Sequence, residues 1–458
     1  MHYLILAVIV AVSVVDELTD MHILPKPLAF VPELLSALVT IYVVAFGARQ
    51  RFQFVRAQYW LVFGALGVVM LCGALANSVA PGPLFAGIRY YLRPIPLFFL
   101  PAVCDFRAWQ IRQQLRLLLL VGLAQLPVAI HQRMVVMREY RFSGDSVVGT
   151  FLDSSMLSIY LICVVCVLTA AFLRRGIPKI AYFALFFYLL AATTINETKG
   201  TLILLPIGLV AVVLIGAPPA KRLRVVALTI GLFVVFVAGF AVVYDYVQKA
   251  NPYFTSIGSF FLDQKKLGQY VDTHSGLGAS QQAGRVDAIT VPLRELSRDP
   301  ARMAFGYGIG NASHSSLGPQ FIGEYFPLFK AFLVSSFSVF LLEIGVGGTF
   351  LVFVLYWLIF RDSLMVARNA DDFMGWLAVG WAGVTLVIAV ATVYKVTHVY
   401  QAVSYVFWYV SGLVAAKRMR IALASESTAP PPPSLAMPIA APGRVPHVIR
   451  NPTGPRST

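Results

Sequence analysis

The run VVALTIGLFVVFVAGFAVVYDY (residues 225–246) and the polar stretch that follows it, residues 249–330, decide the fold of this chain. The run is long enough to cross a bilayer as a helix, which takes about 17–25 residues. The stretch after it is the only long break in a sequence that is otherwise a succession of apolar runs. Because this break holds GRVDAITVPLRELSRDPAR (284–302) and GYGIGNASHSSLG (306–318), we expect most reactive side chains to lie in it or to face it.

The composition places the chain among membrane proteins. Of its 458 residues, 58% are hydrophobic and 12% are charged, and the mean hydropathy is +0.76. A soluble domain could not cover so much apolar surface with so few charges. Since no strand-like alternation is visible, the sequence predicts an all-α fold, a polytopic transmembrane helical bundle in contact with the lipid bilayer.

The net charge of +15 does not indicate a nucleic-acid partner. The basic residues fall in short clusters between apolar runs, which is the distribution of cytoplasmic loops rather than of a binding face. The four cysteines lie in or beside apolar runs, and Cys163 and Cys166 have no second pair with which to form a zinc site. We therefore expect packed thiols and no metal.

Twelve spans are predicted from apolar length. They are residues 2–18, 30–47, 58–77, 84–103, 113–131, 151–173, 180–195, 200–217, 225–246, 333–360, 374–394 and 398–416. The first has no basic residue before it and is followed by DELTD (16–20), so it is expected to remain uncleaved. The run 331–360 exceeds one crossing, and its beginning, AFLVSSFSV (331–339), is expected to form an external helix over the bundle.

Lys and Arg clusters occupy every second loop, which predicts that both termini are cytoplasmic. The chain then divides into spans 1–9 (residues 1–246), a large external loop (247–332) and spans 10–12 (333–416). The remaining residues, 417–458, are basic and proline-rich and are expected to be a disordered cytoplasmic tail.

Two arginines within the fourth span are the first candidates for a function. Arg89 and Arg93 are four residues apart, so they share one helix face about 8–15 Å from its outer end. Charge inside a span is costly and marks functional positions, and two guanidiniums suit a diphosphate. The alternative is that they extend to lipid headgroups. Pro94 and Pro96 are expected to kink this helix beside them.

Further candidates lie in the predicted outer loops. Arg141, Lys199 and Arg285 belong to a set of outer basic residues that we expect to make this face cationic and attractive to an anionic lipid diphosphate, although each could simply be solvated. His314 could accept a proton from an attacking hydroxyl or be an ordinary loop histidine. The glycines of GYGIG are expected to make turns. Glu343 could orient an arginine or cap the boundary between the external helix and span 10.

The order of these parts resembles the O-antigen polymerase and ligase superfamily. The resemblance extends over about residues 30–416 and is carried by the twelve spans, the arginines of span 4 and the loop reading GRVDAI…DPARMAFGYGIGNASH…LLEIGVGGTF. It implies an inverting glycosyltransferase that works without a metal or other cofactor on the outer side of the bacterial inner membrane. The donor would be an oligosaccharide linked to undecaprenyl diphosphate, and the acceptor a glycan hydroxyl.

The resemblance assigns the leaving diphosphate to Arg89, Arg93 and Arg285 and the base to His314. Arg141, Lys199 and Glu343 are expected substrate contacts from their charge and position alone. One departure is visible, because the family histidine would fall at residues 334–336, where no histidine stands. The expected function is polymerisation of exopolysaccharide or O-antigen, alongside chain-length regulator or export proteins. A ligase that transfers finished chains to lipid A core or another acceptor stays open, as does a lipid-linked polysaccharide transporter.

Overall fold

The computed structural model describes residues 1–49, 52–135, 147–248 and 283–427, and its regular structure there is entirely helical. The helices are α1 (His2–Asp20), α2 (Val31–Arg49), α3 (Ala57–Ala76), α4 (Pro81–Leu92), α5 (Ile95–Val103), α6 (Ala108–Met134), α7 (Ser154–Leu173), α8 (Lys179–Ile195), α9 (Thr201–Gly216), α10 (Arg222–Gln248), α11 (Asp287–Leu296), α12 (Pro300–Phe305), α13 (Ser336–Asn369), α14 (Phe373–Tyr394) and α15 (Gln401–Ser427). The predicted all-α class is confirmed.

Eight segments within the described ranges are long and apolar enough to cross a membrane. They are His2–Asp20, Lys26–Arg49, Ala57–Ala76, Ala108–Met134, Ser154–Leu173, Pro219–Tyr246, Ser336–Asn369 and Phe373–Tyr394. The helices α8 and α9 are apolar but shorter. The fourth predicted span is divided between α4 and α5, and the twelfth overlaps α15.

Among the eight candidate segments, α7, α13 and α14 are the most deeply packed, whereas α10 lies at the periphery with little of its surface buried. Its side chains Leu223, Leu228 and Val242 are well exposed. An apolar helix with an exposed apolar surface is the arrangement expected where lipid replaces water as the solvent.

One predicted helix interruption is confirmed, and the structure shows a second that was not predicted. The chain breaks at Arg93–Pro94, between α4 and α5, because a proline cannot continue the hydrogen bonding of the preceding turn. In α13, Gly345 has φ +65° and ψ −173°, which divides the helix into residues 336–344 and 346–369. The short helix predicted at residues 331–339 is found instead at residues 336–344, with Ser335 as its N-cap.

Ion pairs group the charged residues at two ends of the bundle. At one end, here called the basic end, the pairs are Arg56–Asp362, Lys417–Asp372 and Arg420–Asp105. At the other, here called the mixed-charge end, they are Arg89–Glu33, Arg93–Glu33, Arg133–Glu197 and Lys395–Asp153. Each of these pairs joins two residues that the predicted topology, based on the Lys and Arg clusters, assigns to the same side of the membrane.

The C-terminal boundary needs correction. The last helix begins at Gln401, so His398 lies in the connection 395–400, and it continues to Ser427 instead of ending at 416. Lys417 and Arg420 anchor this extra length through their ion pairs with Asp372 and Asp105, so residues 417–427 are helical and not disordered. The rest of the predicted tail lies outside the described residues.

Candidate functional site

The site centres on the break between α4 and α5. Pro94 and Pro96 have no N–H with which to bond the carbonyls of Tyr90 and Leu92, so α4 ends at Leu92. The Leu97 N–H bonds to the Pro94 carbonyl and not to the carbonyl of Arg93. The Ser36 hydroxyl of α2 donates to that carbonyl over 2.5 Å. This bond ties α2 to the break and brings the outer turn of α2 beside the two arginines.

Glu33 of α2 holds both arginines of the predicted pair. Its Oε2 accepts from Arg89 Nε at 2.6 Å, and its Oε1 accepts from Arg89 Nη2 at 2.5 Å and from Arg93 Nη1 at 2.8 Å. The three side chains are between 8% and 16% exposed. Both arginines are therefore held by a partner within the protein.

Each guanidinium keeps one donor without a partner. Arg89 Nη1 and Arg93 Nε are buried and make no hydrogen bond within the described residues. Ser404 Oγ and Gln401 Oε1, on the neighbouring first turn of α15, are in the same state. Buried polar atoms are nearly always satisfied, so these four atoms mark a place where water, an ion or another molecule would supply the missing partners.

His398 completes this cluster, which we call the break site: Glu33, Arg89, Arg93, Ser336 and His398. Arg93 donates through Nη2 to the Val399 carbonyl, which places the connection 395–400 against the break. The His398 Nδ1 atom lies 2.9 Å from Ser336 Oγ. Its ring centroid is 4.7 Å from that of Phe340.

His398 is neutral near pH 7. Burial, and to a smaller extent the nearby Arg93 guanidinium, lower the pKa of His398 from its usual 6.5 to about 3. A neutral imidazole can accept a proton, but at this pKa it is a weak base, and an anion bound beside Arg93 would raise its pKa. A cavity of about 60 Å³, lined in part by Tyr91, Pro94 and Ser404, lies beside it.

Glu343 contacts the glycine-rich turn (residues 306–310) and the residues that follow it. Its side chain is buried, at 1% exposure, and faces the Tyr91 hydroxyl, the Ser313 side chain and the backbone of Gly310 and Ala312. It makes no ion pair with an arginine in the described chain, so of the two predicted roles the structural one at the boundary fits. The expectation that Glu343 orients an arginine is not met.

The glycine-rich turn packs closely on α3, α4 and α13. Gly310 has φ +76°, and a Cβ there would lie 2.0 Å from the Pro83 carbonyl oxygen. The Tyr307 N–H donates to the Leu342 carbonyl at 2.6 Å. Only glycine allows this combination of positive φ and close backbone approach. The predicted turns are confirmed, and they brace the helices around the break site.

His314 does not join the break site. It is exposed, its ring centroid lies 5.4 Å from that of Phe326, and it makes no hydrogen bond or ion pair with Arg89 or Arg93 in the part of the chain that the structure describes. The loop containing it contacts α4, where the Gln320 carbonyl lies against Gly82. The base assigned by resemblance is therefore displaced from the arginines.

The remaining predicted contacts are dispersed. Arg285 donates to the Val334 carbonyl at 3.0 Å and lies over the Tyr394 ring. The Lys199 ammonium is 5.9 Å from the Tyr244 ring centroid. Both belong to the mixed-charge end, but the structure places neither in the break site. Arg141 lies outside the described residues.

The expectation of a cationic outer face is not met in the described ranges. Carboxylates neutralise many of the bases there, as in Arg133–Glu197 at 2.8 Å and Lys395–Asp153 at 2.9 Å. Such pairing reduces the field at a distance. Attraction of an anion must then come from local donors, of which the break site offers two.

Sequence reasoning missed Glu33, Ser336 and His398. Glu33 had a signal, since VPELLS (31–36) carries an acid at the outer start of a span, on the side predicted for the arginines. Ser336 stands within residues 334–336, where the resemblance would place a histidine, and His398 reaches it from 62 positions further along the chain. No spacing rule connects such distant residues.

The described residues contain no group of three or more His, Cys, Asp or Glu side chains arranged to hold a metal ion. Comparison of the chain with protein-family models finds no match. Comparison with curated proteins also finds none.

Proposed function

We propose that the chain is an integral membrane glycosyltransferase that polymerises oligosaccharide units carried on undecaprenyl diphosphate. The break site would hold the diphosphate, with Arg89 and Arg93 as the anion-binding groups and His398 in place of His314 as the base. The resemblance of the sequence to the O-antigen polymerase and ligase superfamily supports the donor class.

One observation carries this proposal. Two buried guanidinium donors, Arg89 Nη1 and Arg93 Nε, have no partner in the described chain and lie near a neutral histidine at a helix break. Glu33 fixes both guanidiniums from one side. Donors fixed in this way stabilise developing negative charge without reorganising, which is the largest contribution in many enzymes.

The reaction follows from these groups. The acceptor hydroxyl oxygen attacks the anomeric carbon from the face opposite the diphosphate, and its proton passes to the imidazole of His398. The bond between the anomeric carbon and the diphosphate oxygen breaks, and the electron pair leaves with the diphosphate, whose added charge the arginines stabilise. Attack opposite the leaving group inverts the configuration, and the scheme uses only the residues named.

The proposed topology places the mixed-charge end outside the membrane and the basic end in the cytoplasm. Twelve crossings with both termini inside would put the break site on the external, periplasmic face of a bacterial inner membrane. The excess of Lys and Arg at the basic end supports this orientation.

The test is the glycan profile of a deletion strain, read together with its lipid-linked intermediates. Accumulation of single lipid-linked units with loss of long chains supports polymerisation. Full-length chains retained on undecaprenyl diphosphate would instead identify a ligase. Units trapped on the cytoplasmic side would refute the transferase proposal in favour of a transporter.

Complementation with point variants then tests the break site. We expect Arg93→Ala and His398→Gln each to lower transfer by about 10²–10³-fold, since removal of one preorganised donor or of a base costs that much. Arg298→Ala and His314→Ala are the controls, because both side chains are exposed, and each should complement fully. Wild-type transfer by Arg93→Ala at equal membrane abundance would overturn the assignment.

A further inference from the structure

A second cavity lies between α6, α7, α14 and α15, and it shares the side chains Ile388, Val403 and Phe407 with the cavity beside His398. Its volume is about 480 Å³, within the range of about 300–1,000 Å³ that ligand pockets occupy. Its walls are apolar and include Leu115, Leu119, Val164, Val167, Phe373 and Phe407. A cavity of this size with apolar walls favours an apolar occupant over water.

The cavity runs along the helices for the depth of one leaflet. On α7 its lining extends from Tyr160 to Ala171, which corresponds to about 16 Å at 1.5 Å per residue. Half of the hydrocarbon core of a bilayer is about 15 Å thick. An extended acyl chain of one leaflet therefore matches the cavity in both length and polarity.

Two cations line the same cavity at the basic end of the bundle. Arg112 and Arg116 are four residues apart on α6, and both are exposed. The Arg112 guanidinium lies 5.2 Å from the centroid of the Phe373 ring. Unlike Arg56, Lys417 and Arg420 at this end, neither makes an ion pair with a carboxylate of the described chain. Two unneutralised cations above an apolar cavity complement an anionic head group that carries a hydrocarbon chain.

We propose that this cavity is a binding site for an anionic phospholipid of the leaflet at the basic end, with one acyl chain in the cavity and the phosphate on Arg112 and Arg116. The two cations stand at the basic end of the bundle, whereas the arginines of the break site belong to the mixed-charge end, so the inference does not depend on the proposed transferase activity. The bound lipid would fill the space between α6 and α14 and stabilise their packing.

The test uses the purified full-length chain in a neutral detergent, with bound lipid measured by native mass spectrometry. Phosphatidylglycerol and phosphatidylcholine with the same acyl chains are added at equal concentration. We expect preferential retention of phosphatidylglycerol. The variant Arg112→Ala/Arg116→Ala should lower its affinity by about 30-fold, and either single variant by about 5-fold, while phosphatidylcholine binding is unchanged.

Two further variants separate the site from general effects of charge or folding. Arg222→Ala/Arg224→Ala removes the same charge from α10, outside the cavity lining, and should change phosphatidylglycerol affinity by less than about 2-fold. Val164→Phe keeps both cations but fills the cavity, and should lower retention. Equal binding of the two lipids, an unchanged affinity in Arg112→Ala/Arg116→Ala, or preferential retention of added undecaprenyl phosphate would each overturn the proposal.

Discussion

The carboxylate of Glu33 can be tested directly by replacing it with glutamine. Its Oε2 accepts from Arg89 Nε, and its Oε1 accepts from Arg89 Nη2 and Arg93 Nη1. Glutamine has the same shape, but its amide nitrogen cannot accept a hydrogen bond and it carries no charge. Glu33→Gln therefore removes the negative charge that neutralises two arginines. It also places the glutamine amide N–H against an arginine N–H that the carboxylate had accepted from.

The size of the effect follows from the number of bonds and from their exposure. Removing one partner of a fully buried pair costs about 3–5 kcal/mol. The side chains here keep between 8% and 16% exposure, so water can partly solvate the uncompensated arginines. We expect Glu33→Gln to lower the free energy of unfolding by about 2–3 kcal/mol.

A double-mutant cycle in detergent measures the interaction itself. The wild type, Glu33→Gln, Arg89→Gln and the double variant are unfolded with denaturant, and we expect a coupling energy of about 1–2 kcal/mol. Glu295→Gln serves as control, since its partner Arg298 is 68% exposed and surface pairs contribute about 0–1 kcal/mol. Effects at Glu33 and Arg89 that add to within about 0.5 kcal/mol would refute the contacts described.

Three further predictions concern protein stability: two glycine substitutions with opposite expected effects, and the pH dependence that His398 causes. Gly310→Ala should destabilise the protein by at least about 2 kcal/mol, because φ is +76° and the new Cβ would meet the Pro83 carbonyl. Gly231→Ala, with open space around it on α10, should be neutral or stabilise by up to about 1 kcal/mol in the same unfolding assay. For His398 the folded pKa is about 3 against 6.5 when unfolded, so the unfolded chain binds an extra proton between these values. Stability should fall by about 1.4 kcal/mol per pH unit of acidification within that window. Thermal melts at pH 7 and pH 5 should show a smaller loss for His398→Gln than for the wild type, and an equal loss would contradict the buried neutral state.

The sequence identified the features that depend on local chemistry. The helix break after Arg93 follows from two prolines, and the turns of residues 306–310 follow from glycines that tolerate positive φ. The arginines of span 4 stood out because charge is rare in apolar helices. Each of these signals lies within a few consecutive residues, where propensity and spacing are sufficient.

What the sequence alone determined is the class of molecule: an all-helical protein with apolar segments long enough to cross a membrane, in which the charged residues gather at two ends of the bundle. The partners of the reactive groups were decided only by tertiary structure. Glu33 is 56 positions from Arg89, and Ser336 is 62 from His398. Which helix faces which is set by side-chain packing across the bundle, and apolar length and loop charge carry no information about that packing.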